Sequence, residues 1–156
     1  MKQVIHELNK LVSEYAAKFN SINDSEFSNK PLPHKWSKKE VVGHLVDSAQ
    51  NNLRRFIVAQ YESQPPSIVY EQDFWVNANG YQRMKKEEVI MLWKLINERI
   101  CDVLNAMPQS NYDKTCNTGD NEVKLRSLQW LAEDYIRHMK HHLNQIIPGS
   151  FDIVYT

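Results

Sequence analysis

Tyr135-Ile136-Arg137-His138-Met139-Lys140-His141-His142-Leu143-Asn144-Gln145-Ile146 holds three of the six histidines of the chain, and their spacing decides how the rest is read. Leu128, Leu131, Tyr135, His138, His142 and Gln145 recur at steps of three and four, the stripe that an amphipathic helix turns toward its core. His138 and His142 therefore fall on the inner face. His141 falls with Asp134, Arg137 and Asn144 on the wet one. Imidazoles one turn apart can both reach a single divalent cation, although a lone histidine on such a face is usually a satisfied core residue. Two side by side leave several ring nitrogens to satisfy and oppose each other's protonation, a cost that leucines would avoid. A metal then needs a third ligand from elsewhere in the chain.

Composition narrows the function classes. At 156 residues the chain suits one domain, residues 1–156, with a single core. Nineteen basic and nineteen acidic residues cancel, so no electrostatic footprint points to nucleic acid or an anionic membrane. A small-molecule substrate is the expected partner, and self-association as a homodimer stays open. The N-terminus has no apolar signal core, so a cytoplasmic protein is expected. Cys101 and Cys116 are too few and too far apart for a disulfide framework or a Cys-x-x-Cys site. Four glycines and six prolines favour long helices, and the expected class is all-α.

Four helical patterns stand out. The first runs from Gln3 to about Phe19, with Ile5, Leu8, Leu11, Val12, Tyr15 and Ala16 on its stripe. Asn20 to Ser25 reads as turn formers, and Pro31-Leu32-Pro33 holds the next stretch extended. The second opens at Ser37-Lys38-Lys39-Glu40, a capping box, with Trp36 placed to staple onto Val41. Its stripe is Val42, Leu45, Ala49, Asn52, Phe56 and Ala59, and it stops near Glu62 before Pro65-Pro66. The third spans about Lys85 to Ala106 on Val89, Leu92, Trp93, Ile96, Ile100, Val103 and Leu104. The fourth ends at Ile147. Val123 to Leu125 reads either as a short extended piece or as the lead into that helix, and Phe151 to Tyr155 as an apolar tail packed back on the body. Ser63 to Met84 is a long connection carrying Ile68, Tyr70, Phe74, Trp75 and Tyr81, too aromatic for an idle loop.

His44, beside the second stripe, is the best third ligand. It lies near the start of its helix, whereas His138 and His142 lie near the end of theirs, so the second and fourth helices must run antiparallel. An up-down-up-down bundle would leave the histidines roughly 25 Å apart. An up-down-down-up four-helix bundle unites them, and it requires a long crossover between the second and third helices. The connection there, fully extended, spans up to ~65 Å.

Trp36-Ser37, Glu40-x-x-x-His44-Leu45-x-Asp47-Ser48, Asn51-Asn52 and Arg55-Phe56, followed by Asp134-Tyr135-x-x-His138-x-x-His141-His142-Leu143-x-Gln145-Ile146, resemble the DinB-like superfamily. The likeness is strongest to its YfiT branch, regarded as metal-dependent hydrolases and bacillithiol transferases. It covers nearly the whole chain, and it lies in the order and spacing of the motifs rather than in any one of them. It implies a divalent metal, zinc or nickel, on His44, His138 and His142, and relatives that include thiol-dependent S-transferases and a mycothiol-dependent isomerase.

Three neutral histidines leave the charge of a divalent ion intact and a coordination position open, the pattern of catalytic sites. Water or a low-molecular-weight thiol could be activated there. Asp47 and Asp134 could serve as a base or orient a ligand histidine. Asn51, Asn52 and Arg55 could meet an anionic group, and Trp75 could wall the pocket beside the open position. No Ser-His-Asp set, phosphate loop or dinucleotide fingerprint competes, and the paired Glu-x-x-His of di-iron bundles is missing. The alternative is a non-catalytic bundle that binds a metal or ligand.

Overall fold

The computed structural model describes residues 1–153 and 155. The chain folds, in order, into α1 (Lys2–Ser21), α2 (Asp24–Ser28), α3 (Lys38–Tyr61), α4 (Gln72–Asn79), a 3-10 turn at Tyr81–Arg83 and α5 (Lys86–Ala106). A 3-10 turn at Gln109–Asn111, strands β1 (Thr115–Asn117) and β2 (Leu125–Ser127), and α6 (Leu128–Ile146) follow. The four long helices lie where the apolar periodicity placed them. The body is helical as expected, with one addition: β1 and β2 pair antiparallel as a small hairpin, so the residues leading into α6 are extended.

Local chemistry accounts for the ends. Ser37 caps α3: its Oγ accepts from the Glu40 amide at 3.1 Å, and Glu40 accepts from the Ser37 amide at 2.8 Å, closing the capping box. Two short helices sit where loops were expected. In α2 the Asn23 side chain accepts from the Glu26 amide at 2.8 Å, so a residue read as a turn former works as an N-cap. In α4 only Val76 is fully buried, too little apolar signal to reveal a helix in sequence; it ends at Gly80, whose φ of 64° suits glycine.

The core is continuous across the long helices. Phe19 of α1 packs against Phe27 and Trp93 with ring centroids 6.2 and 5.3 Å away, tying α2 and α5 to α1. Lys86, at the start of α5, donates to the carbonyls of Asn20 (3.3 Å) and Ile22 (2.7 Å) at the end of α1. Lys39, at the start of α3, donates to the Met84 carbonyl at 2.9 Å, just before α5. Thus one end of α1 and the starts of α3 and α5 are gathered together. Because α5 packs against both α1 and α3, its inner face is turned from the expected stripe: Ile90, Asn97 and Cys101 are buried and Leu92 is exposed. The tail returns as expected, with Phe151 5.7 Å from Tyr15; Val154, within that predicted segment, lies outside the described residues. Among the described residues no helix is long and apolar enough to cross a membrane.

Candidate metal centre

His44 comes from the second turn of α3, and His138 and His142 from the last turns of α6. The Nε2 atom of His138 stands 3.3 Å from that of His44 and 3.1 Å from that of His142. One ligating nitrogen from each ring lies within 4.8 Å of the other two. Two nitrogens bound to one tetrahedral zinc at ~2.05 Å would be about 3.3 Å apart. A metal-free cluster is poorly satisfied: a ring nitrogen has either one proton or one lone pair, so His138 Nε2 can complete only one of its two close contacts. A shared cation suits all three, so the donor set fits a divalent metal.

The surroundings hold these rings neutral, the form that ligates. Burial brings the pKa of His44 down to about 3, with His142 adding to the effect. Burial likewise brings His142 to about 4, against an upward pull from Gln145. His138 is driven well below the ordinary histidine range, again first by burial and then by its histidine neighbours.

The residues that steady the rings differ from those expected. Gln145 Oε1 is 3.0 Å from His142 Nδ1, and Ser48 Oγ is 3.4 Å from His138 Nδ1. Asp47 and Asp134 make no hydrogen bond to an imidazole among the described residues. Asp47, one turn after His44, is turned toward the crossover, where it accepts from Tyr81 Oη at 2.6 Å and Asn79 Nδ2 at 2.9 Å. Burial raises its pKa to about 6 despite these two donors. Its other oxygen, like His44 Nδ1, is buried without a partner among the described residues. Asp134 pairs with Arg137 at 2.9 Å and accepts from Tyr155 Oη at 3.1 Å, so it reaches His138 only through the Tyr155 ring, whose centroid is 5.5 Å from that imidazole. The separation along one helix is the reason: an offset of three or four residues from a histidine brings a side chain near, but its partners on other elements choose where it points.

Two cavities lie on either side of the segment that includes α4, and one of them reaches the cluster. One, of about 830 Å³, reaches His142 and Gln145 and is walled by Trp36, Val41 and the loop before α3. The Trp36 ring lies 5.0 Å from that of His44, so the residue expected as a staple covers a candidate ligand. Asp73, in the first turn of α4, lines this cavity and has no ionic partner among the described residues, whereas Glu26 is paired with Lys38 at 2.6 Å. Asp73 was missed in sequence because its segment carried no helical signal. The other cavity, of about 860 Å³, is lined by Arg55 and Trp75 together with Tyr70 and Phe74. Arg55 and Trp75, read from the sequence as pocket candidates, line one cavity together, but it is not the one onto which His142 opens. Asn51 lines neither; it is buried, and its Nδ2 donates to the Asp47 carbonyl at 2.9 Å.

A helical body with three converging imidazoles at one end, open on one side to a cavity, defines a bundle with a candidate metal site. The chain belongs to the DinB superfamily, whose family model matches residues 7–146. It is 26% identical over 145 residues to an Oceanobacillus iheyensis protein called "Putative metal-dependent hydrolase", covering 87% of this chain and 83% of the relative. A Bacillus mycoides protein of the same description is 26% identical over 143 residues, 91% and 80% of the two chains. In three dimensions the chain resembles YfiT from Bacillus subtilis, described as a probable metal-dependent hydrolase with an unusual four-helix bundle topology. The TM-score is 0.83 at 19% identity, over 93% of this chain and 82% of that one. It also resembles the mycothiol-dependent maleylpyruvate isomerase, with a TM-score of 0.70 at 10% identity, over 91% of this chain and 59% of the isomerase.

Proposed function

We propose that the protein is a metal-dependent enzyme of the hydrolase or thiol S-transferase type, with His44, His138 and His142 as ligands of a divalent zinc or nickel ion. The observation that carries this reading is the convergence of three Nε2 atoms, with contacts of 3.3 and 3.1 Å, beside an open cavity. A cation held there supplies Lewis acidity, enough to favour the anionic form of a water or a low-molecular-weight thiol near neutral pH. Gln145 and Ser48 orient His142 and His138 by their Nδ1 atoms. Asp73, on the wall of the same cavity, is the proton acceptor of this reading. Asp134 touches the site at one remove, through Tyr155, while Asp47 anchors the crossover at Tyr81 and Asn79. The substrate is a small molecule and the setting cytoplasmic.

The same reading carries a topology. The start of α3 meets the end of α6 at the histidines, while the end of α1 meets the start of α5 at Lys86. These meetings support an up-down-down-up bundle, with the segment between α3 and α5 crossing its length.

The test is elemental mass spectrometry of untagged protein beside the His44→Ala, His138→Ala and His142→Ala variants. About one zinc or nickel per chain, lost in each variant, is expected. A native protein that holds no metal and cannot be reconstituted would end the enzyme reading and leave the non-catalytic bundle.

A further inference from the structure

The cavity around Arg55 has chemistry of its own. A guanidinium offers five N–H donors. In Arg55, Nε and Nη2 donate to the Ile68 carbonyl at 3.1 and 2.7 Å, and Nη1 donates to Asn52 Oδ1 at 3.3 Å. Two donors and the full positive charge are left over, and no carboxylate pairs with the group among the described residues. Burial disfavours the charged form, a cost that an incoming anion would offset. The rest of the wall is aromatic: Tyr70 and Trp75 meet edge to face at 5.6 Å, and Phe74 is 72% exposed. An apolar ring so bare beside an unpaired cation is what a ligand with an anionic head and a flat apolar body would cover. The exposed Glu71 and Asp120 at the rim admit one negative charge and oppose a second. One short segment separates this cavity from the one that reaches His142. Residues 70–75 form the partition, with Gln72 and Asp73 facing the His142 side and Tyr70, Phe74 and Trp75 facing Arg55.

We propose that this second cavity binds a small monocarboxylate with an aromatic or apolar body, its carboxylate on the two free donors of Arg55 and its body over Tyr70, Phe74 and Trp75. The binding site stands on its own contacts; only its role as the substrate side of the histidine centre rests on the proposed function.

The experiment is titration of the full chain with phenylacetate, benzyl alcohol and phenyl phosphate, followed by saturation-transfer NMR and calorimetry. Phenylacetate binds at least about tenfold more tightly than the other two, a difference of about 1.4 kcal/mol. Arg55→Gln weakens phenylacetate about tenfold or more, and Phe74→Ala, at an exposed position that leaves the fold intact, weakens it several-fold. Both variants keep their metal, and His138→Ala keeps its phenylacetate while losing metal. Equal binding of the acid and the alcohol, or phenylacetate affinity unmoved by Phe74→Ala, overturns the proposal even if the metal is present. Phenylacetate binding to a native protein that takes up no metal upholds the cavity and removes the metal reading alone.

Discussion

At the scale of single residues, burial is what holds the histidine cluster neutral. Three imidazoles held below their ordinary pKa must stay neutral while folded, yet the unfolded chain takes up protons near pH 6.5. Between about pH 6.5 and 4 the unfolded state therefore binds more protons, and stability of the metal-free protein falls as pH falls through that window. Asp47 acts with the opposite sign: its folded pKa of about 6 stands above the ordinary carboxylate value, so between about 6 and 4 the folded state binds the extra proton. Urea titrations at stepped pH should show acid destabilisation, steeper in Asp47→Asn than in the native chain. A slope unchanged by that substitution would mean that Asp47 stays ionised through the window. Gln145 offers a cleaner probe of the ligand shell, because it is exposed while its Oε1 holds His142. Gln145→Ala should lower metal affinity about tenfold in a chelator competition without loss of helix content.

At the scale of elements, caps and one close approach fix where α3 starts and what lies over it. Ser37→Ala removes both the N-cap and the 2.7 Å bond from Ser37 Oγ to Gln82, and should cost about 1–2 kcal/mol in chemical denaturation. Gly43 lies against the Tyr81 ring: a Cβ built there would sit 2.1 Å from Tyr81 Cδ2. Gly43→Ala should push Tyr81 off Asp47 and destabilise by roughly 1–3 kcal/mol, read as a lowered Tm. An alanine variant as stable as the native chain would show that the 3-10 turn shifts freely. The long α3 and α6 were legible because their stripes repeat over five turns or more, and the Ser37 capping box is a local signal. The short α2 and α4 were not, since a helix of five or eight residues with a single fully buried side chain carries no period to read.

At the scale of the whole molecule, the candidate centre joins two helices whose histidines are 94 residues apart, so a bound cation would cross-link the bundle at one end. Metal that binds only the folded chain stabilises it by mass action, about 2.7 kcal/mol at a free concentration of 100 times Kd. Thermal melts across a zinc series should therefore rise with concentration in the native protein and stay flat in His138→Ala. What the sequence by itself determined was the set of long helices, the start of α3 and the three histidines, because helical period, capping chemistry and ligand spacing are all local. Only the tertiary structure decided that Ser48 and Gln145 rather than Asp47 and Asp134 touch the imidazoles. It alone decided that Trp36 covers His44, and that Arg55 and Trp75 line a separate cavity. Those outcomes depend on how the crossover segment lies against α3, and that is set by contacts such as Tyr81 with Asp47 and Arg55 with Ile68, between residues 13 to 34 positions apart that no local pattern couples.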